Sequence, residues 1–207
     1  MKILFIYFDP SNEGNGTYSI GIGYLSSVLK KNGHFSYLIH LKQSIKKEDF
    51  QKQLQNYSFD IVGFSLLTFH PFIKSLTKWL KELYPPIPVI LGGSYPTSFP
   101  EEAILISGVD AICIGEGEKT ILEICRWLEQ KKDINSVKNL WIKKNERIIK
   151  NAVDPFDGNL DNIPFPDREI LSFDKLDDYK NGVLHILGSR GCPFDCSYCM
   201  NSHIQEI

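Results

Sequence analysis

The sequence predicts an α/β protein built around a doubly wound, five-stranded parallel sheet. Short apolar runs alternate with longer helical patterns over the first 130 residues. These runs are continuously apolar, which is typical of strands that are covered on both faces. Strands and helices in regular alternation form parallel sheets, and right-handed crossovers leave a doubly wound arrangement as the expected topology.

The elements follow one another in a regular order. The first strand is the run from Ile3 to Phe8, which stops at Asp9-Pro10. The first helix ends at a basic turn followed by Gly33, a typical helix C-terminus. One face of this helix carries Ile20, Tyr24, Leu25, Val28 and Leu29. Further strands are predicted at residues 35–40, 59–65, 87–91 and 109–114, with helices at about 46–57, 71–83, 101–107 and 119–128.

Three parts of the chain are predicted, because the alternation ends near residue 130. Residues 1–130 form the Rossmann-type α/β domain. Residues 131–182 hold a hairpin, at 139–142 and 147–149, and an extended linker rich in Pro and Asp at 154–168. Residues 183–207 begin with another strand, at 183–187, and end in a cysteine cluster.

The composition is that of an ordinary soluble globular chain. The 207 residues are 43% hydrophobic and 23% charged, with a formal net charge of -2. This composition excludes disorder as the main state, and the slightly negative net charge gives no indication of a basic surface that would bind nucleic acid. No apolar run approaches the ~20 residues of a membrane span, and the N-terminus lacks the features of a signal peptide. We therefore expect a cytoplasmic protein that binds neither nucleic acid nor membrane.

Small and polar residues follow four of the predicted strands. They are Asp9, Ser65, Gly92-Gly93 and the turn of residues 115–118. The carboxyl ends of parallel strands meet at one edge of the sheet, where doubly wound folds bind ligands. Turn formation alone also explains such glycines, and Ser65 also suits a cap for the following helix. The edge is a candidate binding site.

The cysteine cluster is the most specific signal in the sequence. Cys192, Cys196 and Cys199 form a C-x3-C-x2-C motif directly after a predicted strand. Three thiolates from one loop can hold a cubane iron–sulfur cluster and leave its fourth iron open. A zinc site completed by His203 is the alternative. Cys113 and Cys125 lie on apolar faces and are expected in the core.

The spacing and its context, S-R-G-C-P-F-D-C-S-Y-C-M-N, resemble the signature of the radical S-adenosylmethionine (radical SAM) family. The resemblance implies that Cys192, Cys196 and Cys199 bind a [4Fe–4S] cluster. It also implies that Tyr198 lies near the adenine of SAM. The family cleaves SAM reductively to a 5'-deoxyadenosyl radical, which requires a reductant of the flavodoxin or ferredoxin type.

The upstream motifs are similar to those of radical SAM proteins with a cobalamin-binding, flavodoxin-like domain. Their order is strand–Gly-Gly, then V-D-A-I-C-I-G-E-G-E, then I-P-F-P-D-R, then the cysteines. The resemblance implies a corrinoid over the carboxyl edge of the sheet, with its nucleotide tail in a cleft. The cobalamin-binding residues that it implies are Ser65, Leu67, Gly92, Gly93, Gly115, Glu116 and Gly117, with Glu118 as a helix cap.

One family element is missing. The loop after Asp9 has no histidine at residues 10–16, whereas the D-x-H-x-x-G element supplies a histidine ligand to cobalt. The resemblance therefore implies base-off cobalamin without a histidine from this loop. His70, just past the third strand, is an alternative ligand.

The function expected from this resemblance is that of the N-terminal part of a cobalamin-dependent-type radical SAM enzyme. Methyl transfer or a radical rearrangement would follow SAM cleavage on an unidentified small-molecule substrate. Only 25 residues follow Gly182, so we expect an incomplete partial barrel, a truncated or split protein, and no turnover by this chain alone. A separate chain carrying the rest of the barrel is then an expected partner. The alternatives are a stand-alone corrinoid-binding module with a vestigial cysteine tail, and a zinc-stabilised interaction domain.

Overall fold

A seven-stranded sheet organises the computed structural model, which describes residues 1–10, 18–145, 147–194 and 196–199. The strands are β1 (Lys2–Phe8), β2 (Phe35–Leu41), β3 (Ile61–Ser65), β4 (Val89–Gly92), β5 (Ala111–Cys113), β6 (Leu140–Lys144) and β7 (Arg147–Lys150). The helices are α1 (Ile20–Lys31), α2 (Lys47–Leu54), α3 (Phe72–Leu83), α4 (Ser94–Ser98), α5 (Pro100–Ile104), α6 (Glu118–Glu129) and α7 (Asp177–Lys180). None of the helices in these ranges combines the length and the apolar character that a membrane span requires.

The predicted doubly wound parallel sheet is confirmed. The strand order is β2-β1-β3-β4-β5-β6-β7, and β1 to β5 all pair in parallel. The chain reverses its direction of winding between β1 and β3, which is the switch point of such a sheet. Helices consequently cover both faces.

The two faces of the sheet have separate apolar cores. Along β1, Leu4 and Ile6 point to one face, whereas Ile3 and Phe5 point to the other. The first face packs against buried residues of α2, α3 and α5, namely Phe50, Leu54, Ile73, Leu76, Leu80, Ala103 and Ile104. The second packs against those of α1 and α6, namely Ile22, Leu29, Ile121, Ile124 and Cys125. The alternation places each strand side chain in one core or the other.

The predicted hairpin forms, and it also enlarges the sheet. Strand β6 pairs antiparallel with β5, with Trp141 opposite Ile112, and β7 pairs with β6. The five-stranded sheet that the sequence predicts is therefore continued by two antiparallel strands. The division of the chain at residues 130 and 182 stays a prediction.

The strand predicted at residues 183–187 is wrong. This segment is irregular in the structure, and the side chains of Leu184 and Ile186 are 54% and 77% exposed. A strand is stable only when a neighbour pairs with its backbone N–H and C=O groups. No strand among the described residues does so, and an apolar run alone is not sufficient.

The predicted linker is anchored to α1 through Asp167. Its backbone N–H donates to the Gly23 carbonyl at 2.9 Å, and its carbonyl accepts from the Tyr18 hydroxyl at 3.1 Å. Its carboxylate accepts from the Ser26 hydroxyl at 2.5 Å and pairs with the Lys30 ammonium at 2.7 Å. A Cβ at Gly23 would overlap the Tyr18 hydroxyl, so glycine permits this close approach.

Asp167 should contribute to stability in a pH-dependent way. Burial raises the pKa of its carboxyl group, but hydrogen bonds from Lys30 and Ser26 outweigh burial, and the pKa lies below its usual value. A carboxyl group whose pKa is lower in the folded state stabilises the protein above its unfolded pKa of about 3.9. That stabilisation is lost as the pH falls through the lower, folded pKa.

We expect Asp167→Asn to lower the free energy of unfolding by about 1.5–3 kcal/mol at pH 7, since charged hydrogen bonds contribute on this scale. The difference in the free energy of unfolding between the two proteins should shrink below about pH 4, because the wild-type carboxyl group then becomes protonated and loses its charge. Urea unfolding at several pH values measures both effects. Glu82→Gln, at the exposed ion pair of Lys47 and Glu82, is the control and should leave stability nearly unchanged. An equal loss at every pH would contradict this account of Asp167.

Candidate functional site

A cleft of about 640 Å³ lies on the α1/α6 face of the sheet, at the carboxyl ends of its central strands. This volume is within the range of small-molecule sites. The floor is formed by the sheet residues Phe5, Ile61, Gly63, Ile90 and Cys113. The walls include Ile20, Gly21, Tyr24 and Leu25 of α1 and Thr120, Ile121 and Ile124 of α6. The cleft is thus mostly apolar, with polar groups where the strands end.

The predicted apolar face of α1 is divided between core and cleft. Val28 and Leu29 are buried in the core, as the sequence predicts. Ile20, Tyr24 and Leu25 line the cleft instead, and the structure buries Ile22 in their place. Apolar side chains that are only partly buried and line a cleft are typical of a small-molecule site.

The structure brings together most of the residues predicted at the sheet edge. Six of the seven line the cleft, namely Ser65, Gly92, Gly93, Gly115, Glu116 and Gly117. Leu67 does not line it, and its side chain is 72% exposed two residues beyond β3. What these residues bind stays a prediction.

Glycine occurs at several positions along this edge, and the physical reason differs between them. Gly93 has φ +97, and a Cβ there would lie 2.6 Å from the Leu66 carbonyl oxygen. Gly115 has φ +76, so the backbone itself favours glycine at both positions. A Cβ at Gly92 would meet only ordinary contacts, at 3.9 Å from Cys113 and Phe64. The fold does not require glycine at Gly92, where the missing side chain leaves the cleft open.

Ser65 lines the cleft and does not cap α3. The N-cap position of α3 is Pro71, and the N–H of Phe72, the first residue of the helix, donates to His70 Nδ1 at 3.1 Å. The alternative role of Ser65 as a cap is therefore wrong. The His70 ring packs edge-on against Phe8 at 4.8 Å, and His70 is not among the cleft residues. Within the described ranges Ser65 makes no side-chain hydrogen bond.

Several cleft residues were not predicted from the sequence. Thr97 donates to the Gly93 carbonyl at 2.9 Å and accepts from the Gly115 N–H at 3.1 Å, so it joins two turns that line the cleft. Gly21 and Gly63 also line the cleft. A glycine inside a strand pattern indicates a close approach, and this signal could have identified Gly63, where a Cβ would lie 3.1 Å from the Phe5 ring. A Cβ at Gly21 would meet no atom within 4 Å. The role of Thr97 depends on contacts that no local pattern contains.

Glu116 connects four segments at the end of the cleft. Its carbonyl accepts from Asn139 Nδ2 at 3.2 Å, and its Oε2 accepts from the Asp157 N–H at 2.8 Å. Its Oε1 accepts from Arg190 Nη1 at 2.7 Å, and Arg190 Nη2 donates to Glu118 Oε1 at 2.5 Å. Glu118 is not the predicted side-chain cap of α6, because its carboxylate is paired with Arg190. The β5–α6 turn thereby holds the hairpin, the linker and the cysteine segment.

The three clustered cysteines lie in a loop after Arg190. Cys192, Cys196 and Cys199 are partly exposed thiols, and the Cys199 N–H donates to the Cys196 carbonyl at 2.9 Å. Tyr198 is 91% exposed. In the described part of the chain, no three His, Cys, Asp or Glu side chains are placed to hold one metal ion. In a cubane cluster, each of the three thiolates would bind a different iron of the one cluster. Accessible thiols in a short loop suit such a cluster.

Two sequence features lie outside the described residues. One is the loop of residues 11–17, and the other is His203, the proposed fourth ligand of the zinc alternative. Cys113 and Cys125, by contrast, are buried as predicted. Burial raises the pKa of each thiol to about 12, so both are neutral at physiological pH.

Comparison with known families and proteins gives consistent matches. The model of the B12 binding domain matches residues 12–125. An uncharacterized methyltransferase from Pyrococcus horikoshii is 28% identical over 187 residues, which are 88% of this chain and 40% of that protein. The anaerobic magnesium-protoporphyrin IX monomethyl ester cyclase of Synechocystis sp. is 33% identical over 133 residues, 63% of this chain and 26% of that protein. The chain therefore spans less than half the length of these relatives.

Two solved structures share the fold. The radical SAM methyltransferase TsrM from Kitasatospora setae, with cobalamin and a [4Fe-4S] cluster bound, has a TM-score of 0.74 at 16% identity, over 98% of this chain and 42% of its own. OxsB, a cobalamin-dependent SAM radical enzyme with aqua-cobalamin bound, has a TM-score of 0.75 at 20% identity, over 96% of this chain and 28% of its own.

We expect only three of the five thiols to react quickly with a thiol reagent such as Ellman's reagent in the native, metal-free protein. Cys113 and Cys125 are buried, and burial raises the pKa of both to about 12, which keeps the reactive thiolate rare. All five should react after unfolding in guanidinium chloride. The Cys192→Ser/Cys196→Ser/Cys199→Ser variant should lose the fast phase, and a fast phase that persists there would contradict the assignment.

Proposed function

The chain belongs to the B12-binding domain family, and from this premise we propose that the cleft between the sheet, α1 and α6 binds the nucleotide tail of a corrinoid. The relatives also confirm the resemblance to cobalamin-binding radical SAM proteins. The observation that carries the proposal is the open floor at Gly92. Glycine there serves no need of the fold, and it leaves space directly beside Ser65, its partner in the β3–β4 register.

The composition of the cleft suits a flat aromatic group with a polar linker. Ile20, Tyr24 and Leu25 provide an apolar wall for a base such as dimethylbenzimidazole. Ser65 offers a hydroxyl group near the strand ends, and the polar groups of Gly115 and Glu116 beside it are held by Thr97, Asp157 and Arg190. A tail held in this cleft cannot also coordinate cobalt, so the bound corrinoid would be base-off. Residues 10–16 contain no histidine that could replace the base of the tail as a cobalt ligand.

We extend the proposal to the cysteine loop. Cys192, Cys196 and Cys199 would hold a [4Fe–4S] cluster, and Tyr198 would lie near the adenine of SAM. When bound, such a cluster supplies an electron for reductive cleavage of SAM. The support is the donor set itself, three partly exposed thiols in one loop. A reductant of the flavodoxin or ferredoxin type would be a partner, and the reaction would be methyl transfer or a radical rearrangement on a small molecule.

We expect hydroxocobalamin to bind with a base-off absorbance spectrum, and cobinamide, which lacks the nucleotide tail, to bind at least about 10-fold more weakly. The reason is that the apolar walls of the cleft contact only the tail. Parallel spectroscopic titrations measure both affinities. Equal affinity for the two corrinoids would contradict placement of the tail in this cleft.

Substitution of Gly92 by valine should separate binding from folding. A Cβ fits at this position, and valine suits a strand, so the protein should fold. The added methyl groups would enter the cleft, and overpacking on this scale costs about 1–3 kcal/mol, or roughly 5- to 150-fold in affinity. Hydroxocobalamin should therefore bind at least about 5-fold more weakly, whereas cobinamide should be little affected.

Gly158→Val is the matched control. Gly158 lies in the linker with no atom near its Cβ position, and it is not among the cleft residues. The Gly158→Val variant should bind hydroxocobalamin with the same affinity as the wild type. Loss of binding in both variants would indicate a general effect of valine rather than occupation of the cleft.

Anaerobic reconstitution with iron and sulfide tests the cluster. We expect a brown chromophore whose spectrum changes on addition of SAM, and we expect none in the Cys192→Ser/Cys196→Ser/Cys199→Ser variant. Stoichiometric zinc that resists exchange with iron would favour the zinc alternative. Hydroxocobalamin binding with no chromophore would reduce the proposal to a corrinoid-binding module.

A further inference from the structure

Arg190 is the main polar contact between the cysteine segment and the cleft. Residues 181–189 are almost entirely exposed, whereas the Arg190 side chain is only 19% exposed. Its guanidinium lies 5.0 Å from the centre of the Tyr24 ring, which lines the cleft on α1. The segment therefore meets the α/β domain through a largely buried cation.

The charge around Arg190 explains why this contact is strong. Glu116 and Glu118 are 18% and 13% exposed, and each accepts a hydrogen bond from a different guanidinium nitrogen, at 2.7 and 2.5 Å. Two carboxylates held close together in a partly buried turn repel each other unless a cation lies between them. Lys119, the lysine beside them in sequence, is paired with Asp157. Removal of Arg190 would leave two poorly compensated carboxylates at the cleft.

Arg190 also has a position that links two proposed sites. It is two residues before Cys192, and it lines the cleft itself, together with Ser189, Gly191 and Glu116. A corrinoid in the cleft would restrict the turn of residues 115–118. The hydrogen bonds from the Arg190 guanidinium to Glu116 and Glu118 would transmit that restriction directly to the loop that carries the cysteines.

We infer that Arg190 is a positioning residue that couples corrinoid binding to the order of the cysteine loop. This inference rests on the proposed function, since it requires a corrinoid in the cleft. Coupling between two sites is reciprocal in binding free energy. A corrinoid that orders the loop should therefore bind more tightly when the loop is already ordered.

The geometry of the contact requires arginine. The two carboxylates accept hydrogen bonds from two different nitrogens of one rigid, planar guanidinium group. A lysine ammonium is a single point charge and cannot reproduce this arrangement. We therefore expect Arg190→Lys to retain part of the coupling and Arg190→Gln to lose it.

Hydrogen–deuterium exchange of residues 183–194, with and without saturating hydroxocobalamin, tests the inference. In the wild type we expect the ligand to slow exchange in this segment by about 5-fold or more. In Arg190→Gln the slowing should be less than about 2-fold, with Arg190→Lys in between. Because exchange is compared with and without ligand in each variant, a purely structural effect of the substitution cancels.

Arg168→Lys is the matched control. Arg168 also contacts this segment, by donating to the His185 carbonyl at 3.0 Å, and its guanidinium also lies over an aromatic ring, that of Tyr18, at 5.2 Å. It is not among the cleft residues, so its substitution should preserve the ligand-dependent slowing. If Arg190→Gln fails to fold, Glu118→Gln, which removes one arm of the contact, should reduce the slowing.

The outcomes separate the two proposals. Hydroxocobalamin that binds the wild type without slowing exchange at residues 183–194 overturns the coupling and leaves the proposed function intact. Equal slowing in the wild type and Arg190→Gln also overturns the coupling. Failure of hydroxocobalamin to bind the wild type overturns both.

Discussion

The turn between β5 and α6 depends on how the charge of Glu116 is neutralised, and the rest of the site depends on that turn. Its backbone and carboxylate accept hydrogen bonds from Asn139, Asp157 and Arg190. These donors belong to the hairpin, the linker and the cysteine segment, which are distant from one another in sequence. A carboxylate that is mostly buried must be satisfied by donors. The requirement for partners at this one side chain thus brings the linker and the cysteine segment back onto the parallel sheet, and the backbone of the same residue holds the start of the hairpin.

The cleft exists because part of the expected core is left unfilled. Helix α1 turns one apolar flank into the core through Ile22 and Leu29, and the other flank, with Tyr24 and Leu25, is only partly buried and lines the cleft. On the sheet side of the cleft, glycines leave space that larger side chains would fill, most clearly at Gly92. Protein interiors are normally close-packed, so apolar surface left uncovered in this way favours association with a ligand. Residues that would otherwise complete a core therefore line the cleft.

The sequence predicted the parallel sheet well because each strand is a short apolar run between turn residues, and this signal is local. It also placed Ser65, Gly92 and Gly115 at one edge, since strand direction alone determines that edge. It could not predict that the hairpin pairs with β5, because strand pairing is a nonlocal property. The strand at 183–187 failed for the same reason, since apolar character does not provide a pairing partner. Arg190 and Thr97 were missed because their roles consist entirely of tertiary contacts.

The hairpin has a further consequence, for solubility. Without it, the sheet would end at β5, a three-residue strand whose sequence, Ala111–Cys113, is entirely apolar. An apolar edge with open backbone groups is a template for intermolecular strand addition. The hairpin replaces that edge with β7, a four-residue strand that begins with Arg147 and ends with Lys150. Short strands with basic side chains resist edge-to-edge association. Two strands that extend the sheet therefore also protect the protein against aggregation.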